Sequence, residues 1–424
     1  MRNSWQGEFV SDKLDVEIEN KHQIINIEDI VGLALRKNPK RAHLLVSKVL
    51  GKHIPASPGL IIAAGQLLGA KAYNALGGQV AGLGTISALI KTRLNGAAVE
   101  FPKFSIPEYI PAVVVGYAET ATSLGHIVAE YLYAPYIHST RYGHEDKVPY
   151  GRFEEAHSHA TSHKLLPDND EFFNNDLPMV LVDDELSTGK TILATIDELQ
   201  ALNPRKKYIV VTLIDCRSEA DKLALDDFAR KIAAEISVVS LSEGVVSYPH
   251  DIVERAAKII SDMPKESMSY EARMWQTNRI SVDFSSFNHA RYGIDEFDPE
   301  LAKEISDKVW EKAKGKTLIL GLEEFMYLPV TVGQHLEATG MDVYSSSTTR
   351  SPVAPFDSSD YAIRNCLTFL GPEDEERFAY NIEGFDTIVV IVEPGTDVGE
   401  ITKPNGLAEK LTTLTKNIIL VEGE

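Results

Sequence analysis

The stretch Met179 to Leu199, MVLVDDELSTGKTILATIDEL, holds the reading on which the fold turns. Its tail, Gly189-Lys190-Thr191, resembles the end of an ATP-binding P-loop, while its head is a hydrophobic run that stops at Asp183-Asp184. A P-loop needs glycine at both ends of G-x-x-x-x-G-K-[ST] so that the backbone can wrap the phosphates. Counting back from Gly189 puts Asp184 where the first glycine belongs, and its carboxylate would face those phosphates. The P-loop reading fails. A different chemistry fits: a buried strand delivers Asp183 and Asp184 to its C-terminal end, where open α/β sheets bind ligands. Ser187, Thr188, Gly189, Lys190 and Thr191 then turn into a helix whose amides, dipole and three hydroxyls suit one phosphate monoester. Acids that accept hydrogen bonds from sugar hydroxyls, beside a loop that holds one phosphate, fit a ribose 5-phosphate.

Working outward, short β-branched runs alternate with helical patterns almost end to end. The strand candidates are Pro111 to Gly116, Pro178 to Asp184, Tyr208 to Cys216, Glu235 to Leu241, Thr317 to Leu322, Asp386 to Glu393 and Asn417 to Glu422. Continuous apolar runs of this length are expected of strands buried on both faces of a parallel sheet. After the opening stretch, Ile192, Ile196, Leu199 and Leu202 recur at helical spacing until Asn203-Pro204 ends the segment. The class is α/β. At 424 residues the chain is long enough for two domains. The polar, irregular stretch between Asp262 and Asp298 suits the boundary, and the Lys/Glu-rich segment from Pro299 is expected to open the second domain as a helix. The halves echo each other. Each has a strand ending in Gly-x-x-Glu (Gly116 to Glu119, Gly321 to Glu324), a helix, a Thr-Arg pair and a strand that reaches an acidic position.

Lys plus Arg is 42 and Asp plus Glu is 62, a net charge of -20, which repels polyanions and argues against nucleic acid as a partner. The start has no apolar core and many acids, unlike a secretory signal. The longest apolar candidate, Ile54 to Leu68, is interrupted by Pro58, Gly59 and Gly65 and is too short to span a membrane. With only Cys216 and Cys366, far apart, a reduced cytoplasmic protein is the expectation.

The segment VLVDDELSTGKT (Val180 to Thr191) resembles the motif that type I phosphoribosyltransferases use to bind 5-phosphoribosyl 1-pyrophosphate (PRPP). The resemblance implies that Asp183 and Asp184 hold the ribose 2- and 3-hydroxyls, and that Ser187 to Thr191 bind the 5-phosphate. Gly116, Tyr117, Ala118, Glu119 and Thr120 fall where that fold has its pyrophosphate loop, but Glu119 stands where relatives often carry a basic residue. A Mg2+ ion bridged by Glu119 is one substitute. More narrowly, the chain is similar to two-domain proteins of bacterial tellurite-resistance and stress gene clusters. These join an orotate-phosphoribosyltransferase-like domain to a domain named for a Thr-Arg-Ser-Pro motif, here Thr349, Arg350, Ser351 and Pro352. The implied fold is a Rossmann-like parallel sheet of the type I kind over 1–265, a linker over 266–298 and a second Rossmann-like α/β domain over 299–424. The implied chemistry is Mg2+-assisted, PRPP-dependent transfer of ribose 5-phosphate to a small-molecule acceptor in synthesis of a nucleoside-like metabolite. The implied partners are PRPP, the acceptor, a second copy in a homodimer and other stress-cluster proteins, with no nucleic acid and no membrane. A non-catalytic sensor of PRPP or a nucleotide is the alternative, favoured by Glu119.

Between the pyrophosphate and PRPP strands lies STRYGHEDKVPYGRFEEAHSHATSHKL (Ser139 to Leu165), where type I enzymes have a closing catalytic loop. Arg141 and Lys147 are candidates to neutralise departing pyrophosphate, and His157 and His159 to donate protons or contact it. With Glu155 and His163 these histidines have spacings that can also ligate a metal, while a solvated polar loop remains the plain reading. In the second half, Glu393-Pro394-Gly395-Thr396 replaces the acidic pair, so PRPP is not expected there. Thr349, Arg350 and Ser351 either bind an anionic group of the acceptor or form a polar turn, and Glu324 marks a second candidate ligand edge. Acceptor recognition is expected from Ile54 to Gly84 and the linker.

Overall fold

The computed structural model describes residues 2–4, 16–21, 24–37, 43–102, 105–142, 147–154, 162–262, 278–295, 299–358 and 361–424. Two mainly parallel sheets organise it, and all seven expected strands lie in them. The first sheet has the order Arg2–Ser4, Glu17–Asn20, Glu235–Ser247, Lys207–Asp215, Met179–Leu186, Val113–Gly116, Tyr136–His138. Its last five strands are mutually parallel, and the first two add an antiparallel edge. Alternate residues enter different cores. Val114, Val180, Val182, Ile209 and Val211 pack on one face, while Val113, Val115, Met179, Leu181 and Val210 pack on the other. Burial on both faces is why these strands read as continuous apolar runs.

The second sheet is wholly parallel, in the order Asn278–Val282, Asn417–Gly423, Thr387–Ile391, Thr317–Gly321, Val343–Ser347. The sequence echo corresponds to a shared topology. In both sheets the first strand of the unit is flanked by the second on one side and the third on the other, with the fourth beyond the third. The chain leaves the first and third strands in opposite directions, which opens a crevice at their C-terminal ends. The expected linker 266–298 contributes a strand, Asn278–Val282, to this sheet. That strand was hidden because as an edge strand it buries only Ile280 and Val282, with polar residues between.

Ile54 to Gly84, expected to recognise an acceptor, mostly forms the core helix Pro58–Leu76. Ser57 caps its amides, Pro58 presets its first turn, and Gly65 and Gly69 leave room for Ile127 and Tyr131 of the neighbouring helix Thr122–Leu132. Its apolar length is explained by burial on several sides, and no helix among the described residues is long and apolar enough to cross a membrane. The two halves also share structure. Val353–Ala354, just after the Thr-Arg-Ser-Pro motif, pairs with Val31–Arg36, which pairs with His43–Ser47. The Tyr361 hydroxyl accepts from the Leu35 amide at 2.8 Å and donates to the Ala354 carbonyl at 2.6 Å.

Candidate functional site

Strand pairing sets the site. Gly116 lies opposite Val182, so the Gly116 to Thr120 loop and the Asp183-Asp184 pair leave adjacent strands side by side at the crevice. Gly116 is demanded by packing, because a Cβ there would lie 2.4 Å from the Tyr136 hydroxyl. The Asp184 amide donates to Asp183 Oδ1 at 2.9 Å. Burial, then the charge of Glu185, pushes the Asp184 carboxyl up to about 6, opposed by its hydrogen bond to Asp183 and by Arg36. Beyond Leu186 the chain turns at Gly189, whose φ of 75° suits glycine, into the helix Lys190–Leu202. Ser187, Thr188 and Thr191 are partly exposed and Lys190 is exposed, so hydroxyls, amides and a cation gather at that helix start.

Two cations that sequence reasoning missed flank these loops. Arg217 pairs with Asp215 through Nε at 2.9 Å and Nη2 at 2.8 Å, both residues being buried. Its Cδ lies 3.7 Å from where a Cβ on Gly189 would be, and its buried Nη1 has no hydrogen-bond partner. Lys52, 2% exposed, reaches Glu119 Oε1 at 2.7 Å. Its ammonium also donates to the Glu323 carbonyl at 2.7 Å and to Ser347 Oγ at 3.4 Å, so it ties the pyrophosphate-type loop to the second half. Neither residue belongs to a motif; only the fold brings them here.

Glu119 is therefore no open anion. Burial alone would raise its pKa, but Lys52 first, then Arg141 and Arg350, hold the carboxyl down to about 2. Arg350 Nε stands 3.5 Å from Glu119 Oε2 and 3.1 Å from Glu323 Oε2. The bridging of a metal by Glu119 does not fit this arrangement, since both its oxygens already face cations. Tyr117 donates its amide to the Val182 carbonyl, and the Ala118 amide donates to Ser139 Oγ at 3.0 Å. Ser139 Oγ in turn lies 2.9 Å from His163 Nδ1.

The remaining candidates divide. Arg141 joins the site beside Glu119, and its amide donates to Glu324 Oε1 at 3.0 Å. Glu324 Oε2 accepts from the Thr140 hydroxyl at 2.7 Å, so this residue of the second half grips the start of the His-rich segment. Lys147 turns elsewhere, pairing with Asp168 and lying 4.5 Å over the Tyr292 ring. His163 is fully buried in the hairpin formed by Gly151–Glu154 and Ser162–Leu165, stacked on Phe153 at 5.1 Å. His157, His159 and Glu155 lie outside the described residues. Among the described residues no three His, Cys, Asp or Glu side chains form a metal-binding group. Thr349 and Ser351 bond locally. Thr349 exchanges backbone hydrogen bonds with Phe378 and accepts the Ser351 amide on its hydroxyl, while the Ser351 carbonyl accepts from the Tyr380 hydroxyl. Thr349 and Ser351 are thus tied into the fold, while Arg350 reaches across to Glu119 and Glu323.

The first half is a doubly wound α/β unit with an acidic pair and a glycine-started helix at its switch point, the place where this class of fold binds ligands. The chain belongs to the phosphoribosyl transferase family, whose model matches residues 30–245, and a TRSP domain, described as lying C-terminal to that family's domain, matches residues 288–411. No curated protein matches. Solved structures similar to the chain include adenine phosphoribosyltransferase from Trypanosoma brucei in complex with AMP, pyrophosphate and ribose-5-phosphate. It is 15% identical with a TM-score of 0.25, over 32% of this chain and 58% of that one. Adenine phosphoribosyltransferase from Giardia lamblia complexed with 9-deazaadenine is 14% identical, TM-score 0.27, over 51% and 98%. Orotate phosphoribosyltransferase from Aeropyrum pernix is 18% identical, TM-score 0.19, over 35% and 65%. The chain thus spans under two thirds of the trypanosomal and archaeal chains it matches.

Proposed function

We propose that the chain is a PRPP-dependent phosphoribosyltransferase that passes ribose 5-phosphate to a small-molecule acceptor. The carrying observation is the adjacency, at one switch point, of the Asp183-Asp184 pair, the Gly189 helix start and the Gly116 to Thr120 loop. Asp183 and Asp184 accept hydrogen bonds from the ribose 2- and 3-hydroxyls. The hydroxyls of Ser187, Thr188 and Thr191, the Lys190 ammonium and the helix amides hold the 5-phosphate. As the acceptor nucleophile attacks C1, the bond from C1 to the pyrophosphate oxygen breaks and positive charge develops on the sugar ring. Protein groups orient the reactants and stabilise this charge without forming a covalent bond. Arg141 is the cation suited to the departing pyrophosphate.

Mg2+ fits the donor set. Asp183 and Asp184 are adjacent hard oxygen donors of the kind Mg2+ takes. The ion would be held mainly by the oxygens of PRPP and would supply charge neutralisation of the leaving group. The test is calorimetric titration of PRPP with Mg2+ into the wild type and into the Asp183→Asn/Asp184→Asn double variant. Loss of hydrogen bonds to charged acceptors at ~1.5–3 kcal/mol each should weaken binding by about 100-fold or more. Equal affinity in the two proteins would sink the assignment.

One other reading is a sensor that binds PRPP or a nucleotide and does not turn it over; the Lys52–Glu119 pair favours it, because the cation at the pyrophosphate-type loop is already committed to a carboxylate. PRPP binding without pyrophosphate release, in the presence of metabolites from the same gene cluster, would select it.

A further inference from the structure

Within the interval Ser139 to Leu165, His163 is the one histidine among the described residues. It is fully buried, as is Ser139, whose hydroxyl it meets. A polar ring persists in such a place where its hydrogen bonds are made, so the partner it chooses carries information. Ser139 connects several segments. Its amide donates to the Gly116 carbonyl at 2.9 Å, and its carbonyl accepts from His138 Nδ1 at 3.0 Å, since a carbonyl oxygen cannot donate. Its hydroxyl accepts from the Ala118 amide at 3.0 Å, because an amide N–H can only donate. The hydroxyl's own proton is then free to go to His163 Nδ1 at 2.9 Å. The chain has a fixed direction, from the Ala118 N–H through the Ser139 hydroxyl to the His163 ring.

The segments that this chain joins also meet elsewhere. Thr140 and Lys164 exchange backbone hydrogen bonds at 2.9 Å each. Phe153, stacked on His163, meets Tyr117 edge-on at 5.5 Å. The hairpin of Gly151–Glu154 and Ser162–Leu165 therefore rests on the Gly116 to Thr120 loop through one apolar contact and one polar relay.

We propose that His163 is a positioning residue for the Gly116 to Thr120 loop and acts on it through Ser139. A hydroxyl rotates to suit its neighbours. With an acceptor at His163 Nδ1, its proton turns that way and a lone pair stays on the Ala118 amide. Without that acceptor the hydroxyl turns freely, and the hold on the loop loosens. Loop and hairpin thus keep one geometry together, which preorganises the loop for a pyrophosphate group. What the loop holds rests on the phosphoribosyl reading; the relay itself does not.

Hydrogen exchange read by mass spectrometry on the full chain tests the relay with no ligand present. His163→Phe keeps an aromatic ring against Phe153 and removes the acceptor, so exchange over residues 113–121 should quicken by about threefold or more. In a Ser139→Ala background the same substitution should change that exchange no further, because the connection is already cut. Ser139→Ala alone, which removes one oxygen and adds no volume, should quicken exchange at both ends, in the loop and over residues 162–165. Unchanged loop exchange in His163→Phe, equal increments in the two backgrounds, or a hairpin indifferent to Ser139→Ala would each overturn the proposal. The last comparison leaves His163 alone, so it decides even where the phenylalanine variant does not fold. PRPP with Mg2+, titrated calorimetrically, is a separate arm. Binding weakened about threefold or more in His163→Phe supports the positioning role, and equal affinity in the two proteins overturns it. No binding to the wild type would sink the phosphoribosyl reading, and exchange alone would then decide the relay.

Discussion

Asp184 concentrates the tension between folding and ligand binding. An ordinary Asp titrates near 3.8, and here burial and Glu185 push it up to about 6. A carboxyl with a raised folded-state pKa stabilises the protein fully below its unfolded value and loses that contribution as pH rises through the folded one. At neutral pH Asp184 therefore costs stability. Asp184→Asn should raise the stability of the ligand-free protein at pH 7.5 by about 1–2 kcal/mol, with the gain shrinking between about pH 6 and pH 4. Chemical denaturation across that range checks it, and a gain independent of pH would contradict the argument. Lys52 and Glu119 behave oppositely, as a buried pair. Lys52→Met should cost ~3–5 kcal/mol by stranding Glu119, and Lys52→Met with Glu119→Gln should recover most of that loss. Additive losses in the double variant would refute the coupling. At this scale the motif residues were legible in sequence and their partners were not. Asp183, Asp184 and Gly189 carry their chemistry in a contiguous pattern, whereas Lys52, Arg217 and Tyr142 gain roles only from distant strands that deliver Glu119, Gly189 and Glu323 to them.

Among the elements, legibility follows burial. Six of the seven expected strands are buried on both faces and read as apolar runs, for example Met179–Leu186 and Thr387–Ile391, while Glu235–Ser247 is mostly half-buried and reads through its β-branched residues. The missed ones are short, mixed or polar. Val343–Ser347 ends in three buried serines, of which Ser346 and Ser347 donate to the Lys52 and Glu323 carbonyls, so its composition suggests a loop. Val353–Ala354 is too short to register in any periodicity and exists because Val31–Arg36 offers it an edge. The start of Lys190–Leu202 shows how one residue can set an element. Gly189 precedes it at φ 75°, and an added Cβ has ordinary contact distances, 3.7 Å to Arg217 and 3.8 Å to Leu186. The penalty for Gly189→Ala is thus one of backbone conformation, about 1–2 kcal/mol. The variant should fold, melt lower and bind PRPP at least several-fold more weakly, as read by thermal melts and calorimetry. A normal melting temperature would show that the left-handed turn is not required.

For the whole molecule, sequence suggested two domains in series, and the structure interlocks them. Val353, Ala354, Tyr361, Ile363, Phe378 and Tyr380 from the second half pack in the same core as Val31, Leu33 and Leu35 from the first. Glu324 holds Thr140 and the Arg141 amide, Lys52 holds the Glu323 carbonyl, and Arg350 lies between Glu119 and Glu323. Contacts of this kind differ from the polar, loosely packed surfaces that let domains move independently. If the halves unfolded separately, loss of the second would take the Glu323 carbonyl from buried Lys52, Arg350 from Glu119 and the partner strand Val353–Ala354 from Val31–Arg36. Each of those losses is on the scale of a large single-site destabilisation. The full chain should therefore unfold in one calorimetric transition with matching van't Hoff and calorimetric enthalpies. Arg350→Ala should keep that single transition at a lower temperature and weaken PRPP binding, although Arg350 belongs to the second half, because Glu119 loses a neighbouring cation. Two resolved transitions in the wild type, or PRPP affinity unchanged in Arg350→Ala, would return the molecule to a pair of domains that merely share a chain.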